Sequence, residues 1–327
     1  MELSKGSIVE DLCRWKDLYI QSRRDEGLAN RSVTIYSGVI DELAEYSRQH
    51  QEEVALKDLN AFYVNAFLNE KAAKSTKGFG NTSRKLYMNV IKGYFKFISE
   101  NNIDSVDMLY QLRNLKIKTE KKVKPAYTNE QEDRILLTLE KLKIDLPKSR
   151  LRAFTALRNL IMIKILLNTG IRANELAHLR YDQMEPHTEE DSGLPMYRIK
   201  VSGKGSRERY VYIEREEIDE ELDLMRSRFD TDGLIAISAT GEPLGPIQIN
   251  QNVSRIAKKA GLAKRGIHIY RHTVARRQIR KGVNLELVRQ NLGHSSISTT
   301  SEFYADTDEG GKAAAVITSG RRNGKRR

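Results

Sequence analysis

The sequence of 327 residues contains a single cysteine, Cys13, so no disulfide can form within the chain. Proteins without disulfides are typical of a reducing compartment, and we therefore expect a cytoplasmic protein. The sequence also lacks any run of about 18 apolar residues, and its opening stretch "MELSKGSIVEDLCRW" contains no apolar signal core. It therefore predicts neither a secreted protein nor a membrane protein.

Aromatic residues are scarce, at 7% of the chain, whereas 39% of the residues are hydrophobic, with many leucines and isoleucines among abundant lysines and glutamates. This composition is typical of a mostly helical globular protein. The chain is longer than a typical single domain, so two domains are expected.

Acidic residues are outnumbered by basic ones, 44 against 56, which gives a net charge of +12 and favours a polyanionic partner such as nucleic acid. Residues 1–106 carry 15 basic and 15 acidic residues, so the excess lies further along the chain. Three spans contain no acid at all: residues 71–99 with seven basic residues, residues 243–285 with ten, and the tail after residue 311 with six. These spans are the candidate DNA-binding surfaces.

Four amphipathic patterns, at residues 8–26, 31–49, 57–73 and 81–99, predict a helical first domain over residues 1–106. On the fourth helix, four polar side chains recur along one face: Lys85, Asn89, Lys92 and Lys96. Such a stripe is compatible with a solvated surface, or with contacts to DNA phosphates and to bases in the major groove. In the second case Asn89 is the better candidate for a base contact.

The strongly basic stretch "LRNLKIKTEKKVKP" has no sustained apolar period and predicts a linker over residues 107–126. A second domain is expected over residues 127–327, with a helix capped by Thr128 and a buried helix that ends at Gly170. Within it "MYRIKVSGKGSRERYVYIE" alternates with a period of two around a turn, which predicts a β-hairpin. The expected fold class is therefore mainly α, with a small antiparallel β-hairpin or sheet in the second domain.

The second half of the chain contains five short stretches with reactive side chains. They place Arg172 in "NTGIRANEL", Lys204 in the hairpin turn, His268 and Arg271 in "HIYRH", His294 in "LGH", and Tyr304 in a Ser/Thr-rich run. Each residue alone has an ordinary explanation, such as a surface arginine, a solvated lysine or a packing tyrosine. A zinc site made by His268 and His272 would lack a third ligand.

Together these residue types suit phosphoryl transfer. Two arginines can hold the non-bridging oxygens of a phosphodiester, a lysine can protonate a leaving alkoxide, and histidines can relay a proton or bind the phosphoryl group. A tyrosine hydroxyl beside such a cluster is a nucleophile that would form a phosphotyrosyl intermediate.

The stretches "TGIRANEL", "HIYRHTVARRQIRKG" and "LGHSSISTTSEFY", together with the hairpin lysine, resemble the tyrosine recombinase, or phage integrase, family, which the Xer-type recombinases represent. By the family's pattern the pocket would consist of Arg172, Lys204, His268, Arg271 and His294, with Tyr304 as nucleophile and Glu175 as a supporting residue. Tyr270 stands where the family most often has leucine, which predicts a packing variation. The first domain is similar to the family's SAM-like core-binding domain, so the resemblance implies a two-domain clamp around DNA.

The resemblance implies a reaction without metal, nucleotide or other cofactor. The tyrosine would form a 3′-phosphotyrosine and release a 5′-hydroxyl, and four protomers would exchange strands between two DNA duplexes through a Holliday junction. The biological role would be integration, excision or dimer resolution, carried out in the cytoplasm at the nucleoid. A type IB topoisomerase, with the same residue types, and a non-catalytic basic DNA-binding protein are the alternatives.

Overall fold

The structure is a computed structural model and describes residue 3 and residues 8–50, 55–76, 78–104, 106–117, 124–203, 208–229, 233–263 and 265–293. The chain divides into two compact units, Met1–Lys121 and Lys122–Arg327. In the described part of the chain, no helix combines the length and the apolar character that crossing a bilayer requires.

The first unit is helical, as predicted. Its helices are α1 (Ile8–Asp25), α2 (Asn30–Gln49), α3 (Ala61–Lys74), α4 (Asn81–Asn101) and the short α5 (Met108–Gln111). Their apolar faces meet around large buried side chains, including Trp15 and Tyr94. The third pattern was predicted to begin at residue 57, but α3 begins later because the Asn60 side chain accepts hydrogen bonds from the backbone N–H groups of Phe62 and Tyr63.

The segment expected to be a linker, residues 107–126, begins inside the core of the first unit. Met108, Leu112 and Leu115 are fully buried there. The Lys92 ammonium donates a hydrogen bond of 2.6 Å to the Leu115 carbonyl and fastens the segment to α4. These three apolar side chains are too few to show a sustained period in the sequence. Because they are nevertheless buried in the first unit, the connection between the units is shorter than predicted.

The second unit combines seven helices with one sheet among the residues that the structure describes. The helices are α6 (Asn129–Ile144), α7 (Arg150–Thr169), α8 (Ala173–Ala177), α9 (Asp219–Arg228), α10 (Pro246–Lys259), α11 (Ile267–Arg280) and α12 (Leu285–Leu292). Helix α7 is buried on all sides from Leu157 onward and forms the centre of the core. The capping box at the start of α6, formed by Thr128 and Gln131, is present as predicted.

The sheet confirms the predicted hairpin and adds a strand to it. Strands β2 (Pro195–Ser202) and β3 (Glu208–Glu214) pair antiparallel, and β1 (Met184–Thr188) pairs antiparallel with the other edge of β2. Strand β1 reads "MEPHT" and has no alternation of apolar and polar residues, so the sequence pattern could not reveal it. The predicted fold class, mainly α with a small antiparallel sheet, is confirmed.

Helix α7 ends at Gly170, whose φ of +62° lies in the left-handed region that favours glycine. A Cβ atom at this position would lie 3.0 Å from the Leu292 side chain and 3.2 Å from that of Val274. Glycine therefore serves both the turn and the close approach of α11 and α12. This turn places Arg172, two residues later, beside the end of α12.

Candidate active site

Arg172 and Glu175 form a tight pair at the start of α8. The Arg172 backbone N–H donates to one oxygen of Glu175 at 2.7 Å, and the Arg172 guanidinium donates to the other at 2.8 Å. The Glu175 side chain is almost fully buried, whereas one third of the Arg172 side chain is exposed. The pair therefore fixes an arginine that remains partly exposed.

Arg172 and Arg271 converge on the last residues of α12. Arg271, on α11, donates to the Gly170 carbonyl at 2.9 Å and also to the Leu292 carbonyl, while Arg172 donates to the carbonyl of Gly293. Carbonyl groups at a helix C-terminus carry partial negative charge, which stabilises both cations. The two predicted arginines thus lie side by side at the carbonyls of Leu292 and Gly293. These two residues immediately precede His294 in the sequence.

Burial, and then the positive charge of Arg172, lowers the pKa of Arg271 to about 9. The guanidinium remains charged at neutral pH. Burial alone would raise the pKa of Glu175, but hydrogen bonds from Arg209 and Arg172 outweigh it and lower the pKa to about 2. The site therefore holds two predicted arginine cations and an ionised carboxylate at neutral pH.

His268 lies in the first turn of α11 and is exposed. That turn is fixed by the Asn250 side chain, which accepts a hydrogen bond of 2.9 Å from the backbone N–H of Ile267. Arg271 follows three residues later, a spacing that places two helical residues on one side. Lys204, His294 and Tyr304 lie outside the described residues, so their places in the site stay predictions.

Arg209 is a charged residue of this site that the sequence analysis did not single out. It lies on β3 and donates to both oxygens of Glu175, at 2.8 and 2.9 Å. A signal was available, because Arg209 occupies the same face of the strand as the buried Val211 and Ile213. An arginine in line with buried aliphatic side chains needs a buried acidic partner.

Tyr270, the departure from the family's usual leucine, is fully buried and packs edge-on against Tyr127, with ring centroids 5.2 Å apart. Burial raises its pKa well above the ordinary value of a tyrosine. Its hydroxyl cannot reach a DNA phosphate in this arrangement. The structure therefore agrees with the predicted packing role of Tyr270 and gives it no place as a nucleophile.

The two residues after Arg271 hold the segment at the start of the second unit. A His272 ring nitrogen hydrogen-bonds the Pro125 carbonyl at 3.0 Å, and the Thr273 hydroxyl accepts from the Tyr127 backbone N–H at 2.8 Å. The His272 contact is structural. Within the described ranges, no group of three or more His, Cys, Asp and Glu residues could hold a metal ion.

We expect His272 to make the second unit less stable in mild acid. Burial lowers its pKa to about 4, against about 6.5 in an unfolded chain. Between these values the unfolded chain binds more protons, so stability is fully present above about pH 6.5 and falls as the pH drops towards 4. Urea unfolding at about pH 7 and pH 5 should show a smaller loss for His272→Gln than for the wild type. His178→Gln, at an exposed histidine, is the control, and an unchanged loss in His272→Gln would contradict this role.

The predicted stripe on α4 is only partly available for a partner. Lys85 and Asn89 are exposed, as expected for a surface that contacts DNA. Lys92 is half-buried through its bond to the Leu115 carbonyl, and burial lowers its pKa. Lys96 is exposed and lies 3.6 Å from Glu100, one turn further along. Of the four side chains in the stripe, Lys85 and Asn89 are thus exposed, Lys92 is structural and Lys96 is paired with an acid.

The second unit matches a known protein family in sequence. Residues 127–310, more than half of the chain, match the family model described as the phage integrase family. The tyrosine recombinase XerH of Campylobacter jejuni is 28% identical over 257 residues, covering 76% of this chain and 69% of the relative. The tyrosine recombinase XerA of Pyrococcus furiosus is 25% identical over 285 residues, covering 83% and 90%.

Two solved structures share the fold. The XerH recombinase bound to a palindromic difH substrate, in a post-cleavage complex, superimposes with a TM-score of 0.71 at 22% identity, covering 94% of this chain and 85% of that one. A lambda integrase tetramer bound to a Holliday junction superimposes with a TM-score of 0.61 at 19% identity, covering 89% and 76%. With the family match over the unit that carries Arg172 and Arg271, these findings establish that the chain belongs to the phage integrase family of tyrosine recombinases.

Proposed function

We propose that the protein is a site-specific recombinase that cuts and rejoins double-stranded DNA through a 3′-phosphotyrosyl intermediate. The observation that carries the proposal is the convergence of Arg172 and Arg271 on adjacent carbonyls at the end of α12. Family membership supports it. In the sequence His294 directly follows Gly293, and Tyr304, the proposed nucleophile, comes ten residues after His294.

The geometry suits Arg172 to hold a phosphate. A guanidinium has five N–H donors, and Arg172 uses two of them on Glu175 and Gly293, which leaves three beyond these contacts. One third of the side chain is exposed, which leaves Arg172 accessible to a DNA phosphate. Positive donors at the non-bridging oxygens stabilise the charge that develops in the transition state.

The proposed step conserves the number of phosphoester bonds. The Tyr304 oxygen attacks the scissile phosphorus and gives up its proton to a histidine, His268 or His294. The bond from phosphorus to the 5′-oxygen breaks, and Lys204 protonates the departing oxygen. The 5′-hydroxyl of the partner strand then gives its proton to Lys204 and attacks the phosphotyrosine. The bond from phosphorus to the tyrosine oxygen breaks, and the histidine returns its proton to that oxygen, which restores the phosphodiester and frees the tyrosine. One ester replaces another, so the exchange requires no nucleotide hydrolysis.

Strand exchange between two sites requires several active sites on one DNA assembly. We propose a tetramer on paired sites that passes through a Holliday junction, as the solved lambda integrase tetramer does. The proposed biological role is integration, excision or dimer resolution at a specific DNA site. Such a role places the protein in the cytoplasm with the nucleoid.

Recombination between two DNA molecules tests the proposal. The protein is incubated with two DNA fragments that each contain the region flanking its own gene, and the junctions of the products are sequenced. We expect reciprocal recombinants that share one breakpoint. Relaxation of any supercoiled plasmid without exchanged strands would instead show a type IB topoisomerase, and binding without a denaturant-resistant adduct would show a non-catalytic DNA-binding protein.

On the first unit, Lys85 and Asn89 are the proposed DNA contacts, with Lys96 beside them and Lys92 in a mainly structural role. Lys85 is exposed and suited to a phosphate, whereas the Asn89 amide can both donate and accept hydrogen bonds at a base edge. They lie four residues apart on one helix, so a single groove of DNA can contact both.

We expect Lys85→Ala to weaken DNA binding and to lower the slope of log affinity against log salt by about 1, because one phosphate contact is lost. Asn89→Ala should weaken binding to the cognate site without changing that slope. Fluorescence anisotropy titrations over a range of salt concentrations measure both effects. Lys57→Ala, at an exposed lysine outside the stripe, is the control. Equal slopes for wild type and Lys85→Ala would show that the stripe is only a solvated surface.

A further inference from the structure

Arg209 connects three parts of the second unit that the proposed reaction needs. From β3 its guanidinium binds both oxygens of Glu175, and its Nε donates to the Asn291 carbonyl at 2.9 Å, near the end of α12. Only 13% of its side chain is exposed. Three of its five N–H donors are thus used on protein acceptors in a nearly closed space, so Arg209 is poorly placed to bind a phosphate itself.

The Arg209 guanidinium also lies against Gly293. This glycine has a φ of +65°, and a Cβ atom there would lie 3.0 to 3.1 Å from three atoms of the guanidinium, Nη1, Nε and Cζ. The left-handed turn at the end of α12 therefore packs directly against the Arg209 guanidinium. The carbonyl of the same glycine accepts from Arg172, so one residue contacts both arginines.

Glu175 is shared between Arg172 and Arg209, each of which donates a side-chain hydrogen bond to its Oε1 atom at 2.8 Å. A buried carboxylate with two arginine partners has its rotamer fixed, and removal of Arg209, which donates to both of its oxygens, leaves it undercompensated. The carboxylate then has reason to move towards solvent or towards its remaining partner. Either movement disturbs one of the two contacts of the Arg172 guanidinium, the other being the Gly293 carbonyl, and so changes its orientation.

We propose that Arg209 is a positioning residue of the recombination reaction, which acts by holding Glu175 and the Gly293 turn so that Arg172 meets the scissile phosphate in a fixed orientation. The proposal rests on the proposed function. Arg209 also follows Lys204 by five residues in the sequence. Arg209, which holds the pair of Arg172 and Glu175, therefore lies on strand β3, shortly after the predicted general acid in the sequence.

The test uses adduct formation by the full-length protein on a nicked DNA site that traps the phosphotyrosine. The amplitude of adduct formation reports the fraction of folded protein, and its rate constant at saturating DNA reports the geometry of the site. Arg209→Met and Arg209→Lys should each lower the rate constant by a factor on the order of 10², the cost typical of a displaced catalytic group, with nearly unchanged DNA affinity. Lysine keeps the charge but loses the planar fork that binds both oxygens of Glu175.

Arg198→Met is the matched control, because Arg198 lies on the same sheet and pairs with Glu185 on its exposed surface. Its rate constant should equal that of the wild type. In an Arg172→Ala background, Arg209→Met should cause little further loss, because the residue through which it acts is already absent.

Three results would overturn the proposal: a wild-type rate constant in Arg209→Met, a reduced amplitude with an unchanged rate constant, or a full additional loss in the double variant. Failure of the wild-type protein to form any adduct is a different result, and it would count against the proposed function instead. The Arg209→Lys variant keeps the test usable if Arg209→Met does not fold.

Discussion

Tyr304→Phe should abolish the covalent protein–DNA adduct and leave DNA affinity nearly unchanged. The substitution removes the nucleophilic oxygen but no positive charge, so the electrostatic part of DNA binding is retained. Adduct formation is measured on denaturing gels with a labelled nicked site, and affinity is measured by titration of the same site under native conditions. The expected change is from a readily detected adduct to none.

Tyr270→Phe is the control for this prediction, because Tyr270 belongs to the same unit but is fully buried. We expect this variant to form the adduct at a rate close to that of the wild type. An adduct formed by Tyr304→Phe would contradict the assignment of the nucleophile. Its phosphopeptide would then identify the tyrosine that attacks.

Arg172→Ala should slow cleavage by a factor on the order of 10² or more, the loss typical when a donor to the transition-state charge is removed. The structure makes this variant a clean test, because Glu175 keeps its two hydrogen bonds from Arg209 when Arg172 is absent. The fold at the start of α8 is then expected to survive. Arg271→Ala should lose at least as much rate, but it also leaves the carbonyls of Gly170 and Leu292 without a donor and so lowers stability.

A DNA substrate with sulfur at the 5′-bridging position separates the role of Arg172 from that of Lys204. A thiolate leaves with little need for a proton, so Lys204→Ala should regain most of its rate on this substrate. Arg172→Ala should stay slow, because the non-bridging oxygens that it binds are unchanged. Rescue of Arg172→Ala by sulfur would contradict its proposed contact, and persistent impairment of Lys204→Ala would make His268 the leading candidate for the general acid.

Elements with a strong hydrophobic period could be predicted from the sequence. The four helices of the first unit, the buried α7 and the β2–β3 hairpin each repeat apolar residues at the spacing of one regular structure. Strand β1 and the turn around Met108 could not be predicted in this way. Both are short, and their conformation depends on pairing or packing with segments that are distant in the sequence.

The candidate site also contains features that could be predicted from the sequence and features that could not. Arg172, Glu175, His268 and Arg271 were predicted because they stand in stretches whose order and flanking residues resemble a known family. The contacts that organise them were not predictable. The bond from Arg209 to Glu175 joins residues 34 positions apart, and nothing local to either partner specifies it. The same is true in the first unit of the bond from Lys92 to the Leu115 carbonyl, which spans 23 positions. A charged side chain in line with buried strand residues was the only signal in the sequence for Arg209.

The central claim, that this protein cleaves DNA by forming a 3′-phosphotyrosine at Tyr304, is tested most directly by mapping the covalent bond. The wild-type protein is trapped on a nicked DNA site, the adduct is digested with protease and nuclease, and the linked peptide is sequenced by mass spectrometry. The account predicts a nucleotide joined through its 3′-phosphate to Tyr304, and a free 5′-hydroxyl on the released strand. A 5′-phosphate linkage, a different linked residue, or the absence of any covalent adduct would contradict it.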